Sequence, residues 1–167
     1  TSLFKQKPRM VRLRKMMLGL TERLFMSERL PEHKLLIFFE TIDMCTDIAS
    51  VLKDAYPNLK VSRYTEEEDA SVLDTHDIIV ATPKSAGTAV DIKKLQIVIS
   101  FVMRNSTQAV EQMIGRLRQL KTDKLQPKFY YLFTRQIDTH VRYHHKKQEI
   151  MKFKAVSLDE QISGYEI

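Results

Sequence analysis

The chain has 167 residues, 43% of them hydrophobic, which suits one domain with a real core and excludes a wholly disordered protein. Its apolar runs fall far short of the roughly 20 residues that span a bilayer, so no membrane partner is expected. The net charge of +6 belongs to residues 1–30, where eight basic residues face two acidic ones. Such an excess can neutralise phosphates, although a solvated helix face is the commoner explanation.

The single cysteine, Cys45, falls at a core-facing position of a predicted helix. We expect a small buried side chain there and a reducing, intracellular compartment, the cytoplasm or the nucleus. Because residue 1 is Thr1, we also expect a piece of a longer protein.

The first predicted element is a basic amphipathic helix from Pro8 to about Arg29. Its apolar residues recur at spacings of three and four and form one stripe, from which the basic residues lie largely apart. The members of the stripe are Leu13, Met16, Leu20 and Leu24. This helix either packs on the domain and keeps its charges in water, or also contacts a nucleic-acid backbone or a neighbouring domain.

A strand and its covering helix follow. Five consecutive apolar residues after Lys34 predict a strand that ends at Phe39 and is covered on both faces, as in parallel sheets. Apolar residues at helical spacing then predict a helix that Thr41 caps and Pro57 ends.

The rest of the chain alternates in the same way. Strands are predicted at residues 60–64, 77–81, 96–101 and 128–133, and longer helices at 106–120 and 135–153. The acidic run after Thr65 is predicted to be the solvated first turn of a short helix, since four adjacent acids cannot all face one metal or acid–base site. This alternation predicts a doubly wound α/β fold with a mostly parallel sheet of five or six strands.

Several kinds of chemistry are excluded. The four glycines lie too far apart to form a phosphate-binding loop or a dinucleotide-binding turn. His140 and His144 share a helix face, but no cysteine or close carboxylate completes a metal set, so both are predicted to be solvated.

The helix predicted at residues 106–120 has two unlike faces. One face is apolar, and the other carries Gln108, Gln112, Arg116 and Gln119. Three glutamines and one arginine suit a planar or anionic ligand, and an ordinary solvated face is the alternative.

Three runs resemble motifs of superfamily 2 helicases, in the right order. Residues 112–118, Gln-Met-Ile-Gly-Arg-Leu-Arg, are similar to motif VI, whose pattern is Gln, two residues, Gly-Arg, two residues, Arg. Residues 78–100 are similar to motif V with its following strand, and residues 35–41 to motif IV. The steps Thr82-Pro83 and Gly87 to Asp91 are most similar to the viral replication-origin-binding helicases.

The resemblance implies a division of the chain into a basic helix (1–30), a helicase C-terminal RecA-like domain (31–134), and a C-terminal helix and tail (135–167). It implies part of an ATP-dependent helicase, an NTP hydrolase. ATP and Mg would be held mainly by the N-terminal RecA-like domain of the same protein, which this sequence lacks. The isolated chain is therefore expected to be inactive.

The resemblance also implies site residues. Arg116 would reach the γ-phosphate of ATP, with Gln112 and Arg118 as further catalytic residues. Nucleotide contacts would come from Gly87, Asp91 and Gln119. The family's last motif VI arginine falls at Gln119 here, whereas Arg118 comes one residue early and about 100° round the helix.

A nucleic acid, DNA in preference to RNA, is the other implied partner. Its phosphate backbone would be held by Glu40, Thr41, Tyr64, Thr82 and Lys84. The main alternative is a non-catalytic RecA-like module that docks nucleic acid or protein. A flavodoxin-like domain is disfavoured because no glycine follows the first strand.

Overall fold

The computed structural model describes residues 7–87, 92–102, 128–132 and 138–154. Its helices are α1 (Lys7–Thr21), α2 (Ile42–Ala55), α3 (Ser71–Thr75), α4 (Pro83–Gly87) and α5 (Asp138–Lys154). A π-helical turn, Glu22–Met26, directly follows α1. Its strands are β1 (Lys34–Phe38), β2 (Val61–Tyr64), β3 (Ile78–Ala81), β4 (Leu95–Ser100) and β5 (Lys128–Tyr131).

The described strands form one five-stranded sheet in the order β2-β3-β1-β4-β5, and every neighbouring pair is parallel. The first strand is central, and later strands are added on both sides of it. This is the doubly wound α/β arrangement, with helices flanking the sheet, that the alternation of strands and helices predicts.

Strand β1 is buried on both faces, as its uninterrupted apolar run predicts. Leu35 and Ile37 face the cluster that α1 and α2 cover, whereas Leu36 and Phe38 face a second cluster on the other side. The first cluster also contains Leu13, Met17, Phe25, Cys45, Ile48 and Leu52. The second also contains Leu73, Ile79, Ala81, Ile92 and Val98.

The apolar stripe predicted for the first helix is confirmed. Leu13, Met16 and Leu20 are at most 3% exposed, and Leu24 packs half-buried against the same cluster. Helix α1 therefore belongs to the core that covers one face of the sheet.

Helical structure ends at Met26 and does not continue to Arg29. The Ser27 hydroxyl donates a hydrogen bond to the Arg23 carbonyl at 2.7 Å. Hydroxyl bonds to the carbonyl four residues earlier slightly destabilise and bend helices, and this one lies where the helical structure ends.

The acidic run forms a turn, so the prediction of a helix there is wrong. Helix α3 begins only at Ser71, whose amide donates to Asp69 Oδ1 at 2.8 Å. The predicted solvated state also fails for Glu68, whose side chain is only 17% exposed. Its carboxylate is bound to groups on and just after β2, which hold this segment in a turn.

Two predictions about single side chains had opposite outcomes. Cys45 is fully buried as expected, and burial raises the pKa of its thiol to about 12. His144 is also buried, so its predicted solvation is wrong. Its Nδ1 shares a hydrogen bond with the Tyr131 hydroxyl, which ties α5 to the end of β5.

The helix predicted at residues 106–120 lies outside the described residues. In the described ranges, no helix combines the length and the apolar character needed to cross a membrane. The division of the chain at residues 30 and 134 stays a prediction.

Substituting Ile37→Ala should lower the free energy of unfolding by about 2 to 5 kcal/mol, because Ile37 is fully buried in the first cluster. Ile42→Ala removes the same atoms from a side chain that is 44% exposed and should change stability by less than about 0.5 kcal/mol. Urea unfolding of both variants measures the difference. Equal losses would contradict the described packing.

Candidate functional site

The five strands end level with one another. Phe38 pairs with Ala81 and Ser100, Ala81 pairs with Tyr64, and Ser100 pairs with Tyr131. We call this side of the sheet the carboxyl edge, and the opposite side the amino edge. The structure brings to the carboxyl edge all five residues predicted to hold nucleic acid, namely Glu40, Thr41, Tyr64, Thr82 and Lys84.

Thr41 caps α2 at the carboxyl edge, as predicted. Its backbone is extended, and its Oγ1 accepts a hydrogen bond from the Met44 amide at 3.3 Å. Glu40 precedes it and is partly exposed. The first amides of α2 therefore open on this edge, since a helix leaves its first amides without intrahelical partners.

Thr82 plays a similar part after β3. It is 8% exposed, and its Oγ1 shares a hydrogen bond with Ser85 Oγ at 2.9 Å. The Ser85 amide also approaches the Thr82 carbonyl, at 3.2 Å. The Thr82 hydroxyl thus holds the first turn of α4, which ends at Gly87.

Lys84 carries the exposed positive charge that follows β3. Its side chain is 82% exposed, and its Nζ lies 2.5 Å from Glu66 Oε1. The hydrogen bond with Glu66, and then the charge of that carboxylate, raise the pKa of Lys84. The amine predicted to bind phosphate is therefore paired with an acid at the surface, and that acid competes with an incoming phosphate for the positive charge.

Arg63 forms a network beside this edge that sequence reasoning missed. Its Nε donates to Glu68 Oε1 at 2.5 Å, and its two terminal nitrogens donate to Glu67 at 2.6 Å and to Thr46 Oγ1 at 2.8 Å. The hydrogen bond with Glu68 is the main reason that the pKa of Arg63 is raised. This arginine links β2 to α2 and to the acidic turn.

Glu68 fixes the chain where it leaves β2. Its Oε2 accepts from the Thr65 amide at 2.6 Å and from the Thr65 hydroxyl at 2.7 Å. Burial by itself would raise the pKa of this carboxyl. The hydrogen bonds from Thr65 and Arg63 outweigh that effect, so the pKa of Glu68 lies below its ordinary value. Tyr64, between Arg63 and Thr65, is consequently held at the end of its strand.

A sequence signal for this contact exists. The spacing from Thr65 to Glu68 matches the capping-box pattern, in which the side chains of a threonine and of a glutamate three residues later each accept a hydrogen bond from the other residue's backbone amide. Here the glutamate binds the threonine amide without a helix following directly.

Two cations at the amino edge, Lys34 and Arg29, stabilise the fold. Lys34 is 8% exposed, and its Nζ donates to two carbonyls of the short helix α3, those of Leu73, at 2.8 Å, and Asp74. Burial lowers the pKa of Lys34. Arg29 donates to the Pro31 carbonyl at 2.7 Å. These two cations satisfy backbone carbonyls, so they are poor candidates for binding a ligand.

The residues predicted to act on the nucleotide lie outside the described residues, except for Gly87. They are Gln112, Arg116, Arg118, Asp91 and Gln119. Their roles and their distances from the carboxyl edge stay predictions.

Comparison with known proteins identifies a family. The family model for the helicase conserved C-terminal domain matches residues 15–121. This range includes β1 to β4 and the predicted motif VI helix. A search of curated proteins finds no match.

Solved structures share the fold. The Hef helicase domain of Pyrococcus furiosus has a TM-score of 0.51 and 15% identity, over 83% of this chain and 28% of that chain. T4 UvsW has a TM-score of 0.59 and 12% identity, over 86% and 33%. The C-terminal part of the Fun30 ATPase domain has a TM-score of 0.58 and 15% identity, over 92% and 48%. This chain thus spans less than half of each of these chains.

Substituting Glu68→Gln should destabilise the chain by about 1 to 3 kcal/mol at neutral pH, because Glu68 is part-buried and binds Arg63 and Thr65. Glu67→Gln is the matched control, and its side chain is 71% exposed, so the loss should stay below about 1 kcal/mol. Urea unfolding measures both.

The pH dependence of the Glu68 contribution follows from its lowered pKa. A carboxyl whose folded pKa lies below its unfolded value, near 4.5, stabilises the fold above that value and loses the contribution as the pH falls through the folded pKa. The difference in stability between wild type and Glu68→Gln should therefore shrink below about pH 4.5. A constant difference down to pH 3 would contradict the assignment.

Proposed function

Since the chain belongs to the helicase conserved C-terminal domain family, we propose that it is the second motor domain of an ATP-dependent superfamily 2 helicase or translocase. The observation that carries this proposal is the match over residues 15–121 on a parallel sheet whose strand ends gather polar groups. Open parallel α/β sheets bind their ligands outside those ends.

The nucleotide half of the proposed site comes from residues 112–119. Arg116 reaches across a cleft to ATP bound by an N-terminal RecA-like domain of the same protein, which also holds Mg. An arginine placed there stabilises the charge that develops on the transferred phosphoryl group, a contribution of about 10³ to 10⁵ in rate. Gln112 orients the arginine, while Gly87, Asp91 and Gln119 contact the nucleotide. Arg118 is the alternative candidate for the arginine that stabilises this charge.

The nucleic-acid half comes from the carboxyl edge. Lys84 supplies an exposed charge, and the amides at the start of α2, after Glu40 and Thr41, supply hydrogen-bond donors. Thr82 and Tyr64 complete the surface at the ends of β3 and β2. Contacts of this kind hold phosphates and do not read bases, so binding should tolerate sequence changes and weaken with salt.

Narrower statements rest on the sequence. Thr82-Pro83, the step from Gly87 to Asp91 and the Gly-Arg-Leu-Arg run support the viral replication-origin-binding group, with DNA as the substrate. The location proposed with it is intracellular, in the cytoplasm or nucleus of a host cell if the protein is viral.

A non-catalytic docking module is the second candidate. The observation that favours it is that the side chains of Thr41, Thr82 and Lys84 already have partners within the chain. ATP turnover stimulated by nucleic acid discriminates the two candidates, because a docking module has no use for Arg116.

Substituting Arg116→Ala in the full-length protein should abolish nucleic-acid-stimulated ATP hydrolysis and leave nucleic-acid binding largely intact. The reason is that the guanidinium acts on the phosphoryl group of the nucleotide, where it stabilises the charge of the transition state, and does not contact the nucleic acid. Arg142→Ala, at an exposed position of α5, is the control and should hydrolyse ATP like wild type. Steady-state phosphate release measures turnover, and wild-type turnover by Arg116→Ala would refute the role.

Substituting Glu66→Gln should strengthen binding of single-stranded DNA a few-fold, because it frees Lys84 from its ion pair. Exposed pairs are worth up to about 1 kcal/mol, which sets the scale of the gain. Glu67→Gln removes the same charge one residue away and should give a smaller gain, since Glu67 pairs with Arg63. Fluorescence anisotropy measures both affinities, and equal gains would show that net charge alone is at work.

A further inference from the structure

Helix α1 presents an exposed basic face that the motor proposal does not use. The helix contains five basic residues and no acidic one. Lys7, Arg12 and Lys15 are exposed, together with Val11, which is 60% exposed. The opposite face of the helix is buried in the first cluster, so these side chains point away from the sheet.

Two contacts show the direction in which α1 runs. Arg14 forms an ion pair with Asp47 of α2, with its Nε 2.8 Å from Oδ2. Farther along, the hydroxyl of Tyr56 at the end of α2 donates to Glu22 Oε2 at 2.8 Å. From the first contact to the second, the chain advances eight residues along one segment, from Arg14 to Glu22, and nine along the other, from Asp47 to Tyr56. Because both segments advance in the same direction, α1 runs parallel to α2.

Because α1 runs parallel to α2, the position of the basic face along the direction of the strands can be compared with the carboxyl edge of the sheet. Helix α2 begins after Thr41, at the carboxyl edge. Lys7 precedes Arg14 by seven residues, and Thr41 precedes Asp47 by six, which at 1.5 Å per residue are about 10 Å and about 9 Å. The first turn of α1 therefore lies level with the carboxyl edge, beside the start of α2.

The charge on this face is not neutralised within the described part of the chain. Asp47 pairs with Arg14, and no hydrogen bond or ion pair joins Lys7, Arg12 or Lys15 to another described residue. Along the helix axis, Lys7 and Lys15 are about 12 Å apart, enough to face three or four phosphates of one strand at about 3.4 Å per charge.

We propose that Lys7, Arg12 and Lys15 of α1 bind the phosphate backbone of nucleic acid that leaves the carboxyl edge, and so lengthen the track beyond the motor's own contacts. This inference rests on the proposed function, because it takes its ligand from that function. Nucleic acid is the ligand that fits this face because the face is basic, because its charges span the spacing of several phosphates, and because it lies level with the carboxyl edge, where nucleic acid is proposed to bind.

The test compares two triple variants of the full-length protein. The first carries Lys7→Gln, Arg12→Gln and Lys15→Gln. The second is the matched control and carries Lys53→Gln, Lys60→Gln and Lys93→Gln, which remove three exposed charges in the last turn of α2 and just before β2 and β4. Both variants lose the same charge, but the control loses it toward the amino edge.

Binding of a fluorescent single-stranded oligonucleotide is measured by anisotropy at several salt concentrations. The first variant should bind more weakly, and its slope of log affinity against log salt should be flatter by about 2, since each neutralised phosphate of a single strand contributes about 0.7. The control should keep the wild-type slope. Circular dichroism melting checks that both variants fold.

The outcomes separate this inference from the proposed function. Wild-type protein that fails to bind the oligonucleotide would refute the proposed function. Wild-type binding that the first variant leaves unchanged in affinity and slope would refute only the role of α1. Equal losses in both variants would also refute it, because they would show an effect of net charge without position.

Discussion

Burial of β1 on both faces is the constraint on which the rest of the structure depends. Leu35 to Phe38 are at most 5% exposed, and burying each such side chain contributes about 1.5 to 3 kcal/mol. A strand covered on both faces needs helices above and below it and hydrogen-bonded strands on either side. Those helices return the chain to the same side of the sheet, so the strands are parallel and their carboxyl ends meet at one edge.

Much of this could be predicted from the sequence, because the spacing of apolar residues along the chain indicates which of them are buried. The uninterrupted run in β1, the stripe of α1 and the cap at Thr41 each depend on residues close together in the chain. Prediction from the sequence was wrong where a polar side chain forms a hydrogen bond with a residue far along the chain. His144 is buried because it meets Tyr131, thirteen residues away, and no local pattern records that meeting.

The acidic run shows the same limit within the candidate site. Four adjacent acids are typical of solvated chain, and Glu66 and Glu67 are exposed. Glu68 differs because Arg63, one residue before the end of β2, and Thr65, one residue after it, converge on its carboxylate. A carboxylate that accepts hydrogen bonds from a guanidinium, a backbone amide and a hydroxyl stays ionised despite burial. The carboxyl edge is thus shaped by side chains that hold its backbone, and Lys84 extends from it as an exposed cation.

The orientation of α1 has a different cause from the ion pair that reveals it. Arg14 and Asp47 are 42% and 27% exposed, and such pairs contribute about 1 kcal/mol or less. Leu13, Met17 and Leu20 are at most 2% exposed and contribute several times as much together. Packing therefore sets the rotation of α1, and the ion pair reports its direction. Because the apolar stripe must face the sheet, the basic residues face outward, and the sequence alone could not place them level with the carboxyl edge, since that level depends on which way α1 runs along α2.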